Sequence, residues 1–210
     1  MHIPDGFLDA KTWLGATALS GAALYYALKK TQERWEDRQL PALGTMAAFI
    51  FAAQMVNFPV GGGTSGHLLG AALATFFLGP WGANVVLTTV LIIQALLFAD
   101  GGITALGANV LNMAVIGPWV AQGVYSLVGY RNLGGTFLAA WLSIVAAALA
   151  CSLELAFSGI VPLRLVVPAM LGWHSLIGIG EGLITCGVVI FLKRIGMVPF
   201  ETLSLEVQKR

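Results

Sequence analysis

Long apolar runs, separated by short polar or glycine- and proline-containing segments, dominate the pattern of this chain. Seven runs can be distinguished, approximately Ala10–Leu28, Pro41–Phe58, His67–Leu78, Ala83–Ala99, Ala105–Val128, Gly135–Phe157 and Ala169–Leu192. A helix needs about 20 apolar residues to cross a bilayer, and shorter helices suffice where their flanking residues are buried. The pattern predicts an all-α fold: a polytopic membrane helix bundle of about seven transmembrane helices, forming a single domain over residues 1–210.

The third and fourth runs are separated by the sequence Gly79-Pro80-Trp81-Gly82. Proline and glycine in such a cluster are typical of a tight turn. The alternative is one long broken helix from His67 to Ala99, which would reduce the number of helices to six. We favour seven.

Composition supports the membrane class. Hydrophobic residues make up 58% of the chain and charged residues only 10%, and the mean hydropathy is +0.84. A soluble domain carries about 25% charged residues. The net charge of +1 gives no reason to expect a nucleic-acid partner. The start, MHIPDGFLDA, lacks the basic region of a cleavable signal peptide, so we expect Met1 to be the first residue of the mature protein.

The positions of the 11 basic residues predict the orientation of the bundle. With the N-terminus outside, the outer side carries only Lys11 and Arg164. The inner side then carries the other nine: Lys29, Lys30, Arg34, Arg38, Arg131, Lys193, Arg194, Lys209 and Arg210. Positive charge accumulates on the cytoplasmic side of membrane proteins, so we expect the N-terminus outside and the C-terminus in the cytoplasm.

In this orientation the tail of residues 1–9 and the Gly-rich loop of residues 59–67, which ends in His67, share the outer face. The uncharged, glycine-rich loop lets another segment approach closely, so the tail is expected to fold back against it. His2 then offers three consecutive nitrogens: the terminal amine of Met1, the amide of His2 and Nδ1 of its ring. Metal binding by these atoms closes two fused rings and leaves one position in their plane, which His67 can fill.

Four nitrogens in one plane suit Ni(II) or Cu(II), whereas Zn(II) prefers tetrahedral sites. A deprotonated amide would contribute one negative charge and lower the cost of holding a dication beside hydrocarbon. The competing interpretation is that His2 is a solvated terminal residue and His67 a polar helix cap, and for either histidine in isolation it is the favoured one.

The segments MHIPDGFL and NFPVGGGTSGHLLG resemble the CbiM/NikM family, and the resemblance extends over the whole chain. These proteins are substrate-capture (S) components of energy-coupling-factor (ECF) transporters for nickel and cobalt in prokaryotic cell membranes. The resemblance implies that Met1, His2 and His67 hold the metal, and the start MHIPDG is similar to nickel-type members. It also implies membrane lipid, a transmembrane coupling (T) subunit, two ATPase subunits and a small accessory membrane subunit as partners.

Three further polar residues, Glu154, His174 and Glu181, fall inside apolar runs and are functional candidates because their burial is costly. Counted from the outer ends of their predicted helices, Glu154 and His174 lie at matching depth. We therefore favour a Glu154–His174 hydrogen bond over direct metal contact, with Glu181 joining that network. Outside the runs, Asp5 and Asp100 are expected to attract cations or to hydrogen-bond the tail. Asn109 is expected to join neighbouring helices.

Two other functions compete with a transporter subunit. A stand-alone divalent-metal permease would have the same composition. An intramembrane hydrolase using Ser65 with His67 is disfavoured because the two residues are poorly spaced and no third member is evident. No Gly-x-x-x-x-Gly-Lys-Ser/Thr phosphate loop exists in the chain, so no ATP site is expected, and the protein is expected not to be an enzyme.

Overall fold

The computed structural model describes residues 1–35, 40–56, 58–60 and 64–196. Within these residues, seven α-helices follow one another: α1 (Ala10–Arg34), α2 (Leu40–Gln54), α3 (Ala71–Leu97), α4 (Leu106–Asn109), α5 (Gly117–Val128), α6 (Leu133–Phe157) and α7 (Leu163–Arg194). A π-helical segment, Val110–Ile116, joins α4 to α5. Two short antiparallel strands, β1 (Phe58–Val60) and β2 (Thr64–Gly66), form a hairpin before α3. The predicted all-helical class is thus confirmed apart from this hairpin.

Within the described residues, four helical segments are long and apolar enough, by length and composition, to cross a membrane: α3, the continuous stretch Leu106–Val128, α6 and α7. The apolar helix α2 has only 15 residues. Helix α1 has 25 residues but is more polar than these four. The predicted count of seven spans is therefore not supported, because within the described residues only these four segments have the length and apolar character of a membrane span. The orientation of the bundle in the membrane stays a prediction.

A break within α3 occurs at Gly79, where the backbone leaves the helical region at φ 69° and ψ 173°. The residues on both sides of Gly79 are helical, so the break takes one residue instead of the four-residue turn predicted. A straight helix would place Ala71 and Gln94 about 35 Å apart. Since the ring of His2 contacts both His67, just before α3, and Gln94 near its end, the chain must reverse at Gly79.

Helices α6 and α7 pack antiparallel, and small residues set their separation. The indole Nε1 of Trp141 donates to the carbonyl of Ser175 at 3.0 Å. A Cβ on Gly178 would press against Trp141, and one on Gly182 would overlap Phe137. The Gly178–Gly182 pair therefore faces α6 within the chain.

The two ends of the bundle are defined by contacts between helix termini. At one end the hydroxyl of Ser158, after α6, donates to Asp9, which caps α1. At the other end Nζ of Lys193, near the end of α7, donates to the carbonyl of Tyr130, after α5. The N-terminal tail lies at the first of these ends, beside the end of α3.

Candidate metal centre at the N-terminus

The nine residues that precede α1 fold back into the bundle and bury their first three residues. The exposed fraction is 2% for Met1, 9% for His2 and 2% for Ile3. A charged terminal amine is ordinarily solvated, since its burial is costly. The alternative interpretation of His2 as a solvated terminal residue is therefore wrong.

The tail is held by the segment that follows α3. The amide side chain of Asn109 forms a two-way contact with Ile3: Oδ1 accepts from its main-chain nitrogen at 2.8 Å and Nδ2 donates to its carbonyl at 3.1 Å. The carbonyl of Ile3 also accepts from Gly102 N at 2.9 Å. The carboxylate of Asp5 accepts from the main chain of Ile103 and Thr104 at 3.2 and 2.7 Å. Asp5, itself part of the tail, thus bonds the segment that follows α3, and among the described residues it does not bond another part of the tail as had been predicted.

Close approach of the tail depends on Gly101 and Gly102. A Cβ on Gly102 would overlap the main chain of Asp5 and Pro4, and Gly101 has a φ of +99°. The prediction assigned this role to the Gly-rich loop of residues 59–67, of which residues 61–63 lie outside the described part. Among the described contacts, the glycines that admit the tail are those after α3.

Met1, His2 and His67 come together as predicted from the sequence. The terminal nitrogen of Met1 lies 3.4 Å from Nε2 of His67. The rings of His2 and His67 have centroids 4.6 Å apart and planes inclined by 25°. His67 is 2% exposed. Three residues that are distant in the sequence thus place their nitrogens around one buried point.

Neighbouring groups determine which ring nitrogens carry lone pairs. Nδ1 of His67 lies 2.9 Å from the carbonyl of Leu68, which only accepts, so Nδ1 carries the proton and Nε2 is free to bind. Nε2 of His2 lies 3.1 Å from Oε1 of Gln94, which places the proton on Nε2. Nδ1 of His2 is buried and has no hydrogen-bond partner among the described residues. The unprotonated atoms, Nδ1 of His2 and Nε2 of His67, are therefore the two ring nitrogens that the predicted four-nitrogen set requires.

Burial also favours the uncharged form of all three groups. It lowers the pKa of the Met1 amine to about 6, against smaller opposing effects of Cys151 and Asp100. It lowers the pKa of His2 to about 3, helped by the nearby amine. Burial and then the amine hold the pKa of His67 well below its usual range. At neutral pH the amine and both rings are therefore uncharged, and each has a nitrogen that carries a lone pair.

A carboxylate lies beside this cluster. Oδ1 of Asp100 is 3.3 Å from Nδ1 of His2, without the geometry of a hydrogen bond. Burial raises the pKa of Asp100, while the amine partly opposes the shift. Two atoms that bear lone pairs therefore face each other without a shared proton, an arrangement that a bound cation would stabilise. Of the two roles predicted for Asp100, attraction of a cation fits this position.

The predicted Glu154–His174 hydrogen bond is absent among the described residues. Glu154 accepts from Asn112 Nδ2 at 2.6 Å, and Nδ1 of His174 donates to the carbonyl of Met170 at 2.8 Å. Helix α7 begins at Leu163, before Pro168, so His174 lies three turns inside the helix and not one. The register of α6 against α7 then separates Glu154 and His174 by roughly 13 Å along the bundle.

Sequence reasoning missed Gln94 altogether and assigned Asn109 to helix packing. Both residues lie within apolar runs of the sequence, where a side-chain amide without a hydrogen-bond partner would be costly. This position in the sequence could have indicated that each amide binds a specific partner. Within the described ranges, no group of three or more His, Cys, Asp or Glu side chains is placed to hold a metal ion. A metal at the N-terminus would therefore also need main-chain nitrogens as ligands. These are the terminal amine of Met1 and the amide of His2 beside it.

A helical membrane bundle that closes around its own terminal amine and two imidazoles has the features of a membrane component for metal transport. The model of the CbiM family, described as the cobalt uptake substrate-specific transmembrane region, matches residues 2–197. The chain therefore belongs to the CbiM family, as its resemblance implied.

Named relatives are transport proteins for nickel or cobalt. A putative fused nickel transport protein, NikMN, of Archaeoglobus fulgidus is 43% identical over 196 residues, covering 91% of this chain and 65% of that protein. Cobalt transport protein CbiM of Lachnoclostridium phytofermentans is 34% identical over 164 residues, covering 75% of this chain and 65% of that protein. This chain thus spans slightly less than two thirds of these two relatives.

Solved structures agree with the family. The crystal structure of a truncated transition metal transporter superposes with a TM-score of 0.88 at 38% identity, covering 92% of this chain and 99% of that one. The chain is accordingly a multi-pass membrane protein of the CbiM family, and its relatives and structural neighbours are named as metal transporters and not as enzymes, which argues against the hydrolase alternative using Ser65.

Proposed function

We propose that this protein is the S component of an ECF-type importer, and that it captures Ni²⁺, with Co²⁺ as the alternative, in a planar four-nitrogen site. The ligands are the amine of Met1, the amide and Nδ1 of His2, and Nε2 of His67. The observation that carries the proposal is the burial of the terminal amine 3.4 Å from His67 Nε2.

The separation of these two nitrogens supports a common metal. Ligands about 2.0 Å from a metal and adjacent in a square plane are about 2.8 Å apart, and opposite ligands about 4.0 Å. The Met1–His67 distance of 3.4 Å lies between these values. A shift of about 0.6 Å would therefore bring the amine and the imidazole into adjacent positions around one ion.

Charge also favours a dication at this position. The proposed amide ligand contributes one negative charge once its proton is displaced, and the Asp100 carboxylate lies 3.3 Å from the ring nitrogen of His2. The sum of one dication, one amidate and one carboxylate is zero. This balance removes most of the cost of holding an ion among buried apolar residues.

Nickel is proposed as the first substrate on two grounds. The planar set of nitrogens is a geometry that Ni(II) adopts readily. The relatives from Archaeoglobus fulgidus and Rhodobacter capsulatus are named as fused nickel transport proteins. The name of the Lachnoclostridium protein keeps cobalt as the alternative.

Uptake would require the partners of an ECF transporter, because the sequence contains no phosphate loop for ATP hydrolysis. We propose a T subunit, two ATPase subunits and a small accessory membrane subunit, in a cell membrane with the N-terminus outside. The competing proposal is a stand-alone permease.

The metal site is tested by titrating the purified chain with nickel while recording absorption and magnetism. A yellow, diamagnetic complex of one nickel per chain is the expected result. A paramagnetic octahedral spectrum would refute the four-nitrogen site. Reconstitution of the chain in liposomes separates the two transport proposals, because only a permease would move nickel without ATPase subunits.

A further inference from the structure

The segment from His67 to Gly70 connects β2 to α3 without regular secondary structure, yet His67, Leu69 and Gly70 are buried. Buried main-chain groups must find partners, and here side chains provide them. The carbonyl of Leu68 accepts from Nδ1 of His67 at 2.9 Å. The carbonyl of Leu69 accepts from Nε2 of Gln54, in α2, at 2.8 Å.

Glu181 provides the remaining contacts from α7. Its Oε2 accepts from the main-chain nitrogen of Leu69 at 2.8 Å, and its Oε1 accepts from that of Gly70 at 2.9 Å. Glu181 itself is only 2% exposed. Each carboxylate oxygen thus accepts a hydrogen bond from one main-chain amide. The prediction that Glu181 joins a Glu154–His174 network is therefore wrong.

Glu181 is the acceptor for the two main-chain amides immediately before α3. Gly70 is the N-terminal capping residue, has a φ of 78° and forms no side-chain capping hydrogen bond. Only Leu68 lies between His67 and Leu69 in the sequence. The hydrogen bond from Leu69 to Glu181 therefore fixes the main chain two positions after the imidazole. A displacement of Leu69 would move Nε2 of His67 relative to the Met1 amine.

We propose that Glu181 is a positioning residue of the metal centre, holding the main chain of Leu69 and Gly70 so that His67 Nε2 is presented to the Met1 amine. This inference rests on the proposed function, because it assigns His67 as the fourth ligand. Glu181 makes no contact with the metal in this proposal and acts through His67 alone.

The chemistry of the carboxylate explains why glutamate is needed. A carboxylate has two acceptor oxygens, whereas the amide of glutamine has one acceptor and one donor. In Glu181→Gln one of the two main-chain N–H groups would face an NH₂ group. That amide would lose its partner, and the His67–Gly70 segment would have to shift.

The decisive variant is therefore Glu181→Gln, with Glu154→Gln as the matched control. Glu154 is another buried glutamate, in the neighbouring helix α6, whose described partner is Asn112. Nickel affinity is measured by calorimetry on the purified full chain. We expect a loss of about 10–100-fold for Glu181→Gln, the range typical of residues that orient metal ligands, and less than about threefold for Glu154→Gln.

A spectroscopic readout distinguishes positioning from general destabilisation. With Cu(II) as the probe, electron paramagnetic resonance of the wild-type chain should show four nitrogens. Glu181→Gln should show three nitrogens and one oxygen, as His67→Ala should, because water replaces the displaced imidazole while the chelate of Met1 and His2 persists. Glu181→Asp, which keeps two acceptor oxygens on a shorter side chain, should recover part of the four-nitrogen signal.

A double-mutant cycle tests whether Glu181 acts through His67. If it does, His67→Ala combined with Glu181→Gln should bind nickel within about threefold of His67→Ala alone. Additive losses, or a four-nitrogen spectrum with unchanged affinity in Glu181→Gln, would overturn the inference. If Glu181→Gln does not fold, the same cycle with Glu181→Asp decides. A wild-type chain without a four-nitrogen complex would instead refute the proposed function.

Discussion

The terminal amine of Met1 and Nε2 of His67 lie 3.4 Å apart inside the bundle, although 66 residues of sequence separate them. Both residues are buried, with an exposed fraction of 2% each. Their proximity makes the N-terminus a structural part of the protein interior.

Extension of the N-terminus should abolish metal binding. One added residue converts the amine of Met1 into a peptide nitrogen, shifts His2 out of the chelate and has to occupy a buried position. Calorimetry should detect no nickel binding by a chain with Gly added before Met1. The same addition after Arg210 serves as the control and should leave affinity unchanged. Equal affinity of the N-terminally extended chain would disprove the assignment of the amine.

The two histidines of the centre should contribute unequally. His67→Ala leaves three chelating nitrogens with water in the fourth position, so affinity should fall by about 10–100-fold or more. His2→Ala removes the ring that anchors the amide and should bind more weakly still. His174→Ala is the comparison, since Nδ1 of His174 bonds Met170 within its own helix. An unaffected His2→Ala together with an inactive His174→Ala would move the site to α7.

Gln94 should control affinity without touching the metal. Its Oε1 holds the proton of His2 on Nε2 and leaves Nδ1 unprotonated. Gln94→Leu removes this acceptor, so nickel affinity should fall by about tenfold or more, whereas Gln94→Glu retains an acceptor and should bind close to wild type. Gln122→Leu, which removes an amide that accepts from Tyr130 instead, is the control for lost polarity. Wild-type affinity in Gln94→Leu would contradict the tautomer argument.

Affinity should depend on pH less steeply than exposed ligands would allow. Burial lowers the pKa of the Met1 amine to about 6 and that of His2 to about 3. A proton competes with the metal for a nitrogen only when the pH is near or below the pKa of that nitrogen. Between pH 7 and pH 5 this holds for the amine but not for the two imidazoles, whose pKa values are lower. Displacing the amide proton costs about tenfold per pH unit, and the amine adds about tenfold, for a total of about 1,000-fold.

Exposed ligands give a different number for the same interval. An exposed amine with a pKa near 8.0 and two exposed imidazoles with pKa values near 6.5 would all take up protons in competition with nickel. The loss of nickel affinity between pH 7 and pH 5 would then be about a million-fold or more. Nickel titrations at pH 7, 6 and 5 decide between the two values. An affinity independent of pH over this interval would mean that neither the amine nor the amide binds the metal.

Metal preference should follow the geometry. A planar set of nitrogens should bind Cu(II) and Ni(II) more tightly than Co(II) or Zn(II), which is measured by competition at one pH. Selective nickel uptake would then depend on the scarcity of Cu(II) and not on its exclusion. A preference for Zn(II) would indicate a tetrahedral site and a different fourth ligand.

The sequence alone was sufficient where the determining interactions are local. Apolar runs predict membrane helices because, in lipid, each run must pair its backbone N–H and C=O groups within the run itself. The chelate of Met1 and His2 is likewise a property of adjacent atoms, so the candidate ligands could be named without a structure. The break at Gly79 was also foreseen, since Gly-Pro is incompatible with a continuous helix.

Tertiary structure decided what depends on distant residues. The count of spans and the start of α7 were missed because the local pattern shows neither how long and how apolar each helix becomes nor whether a helix continues through Pro168. The pairing of Glu154 with Asn112 and of Glu181 with Leu69 and Gly70 follows from helix register, which a single sequence does not contain. Gln94, Asn109 and Asp100 reach the N-terminus only because the chain reverses at Gly79 and returns beside the tail. Backbone connectivity determines which nitrogens can chelate, whereas packing determines which of them carry protons and what holds them in place.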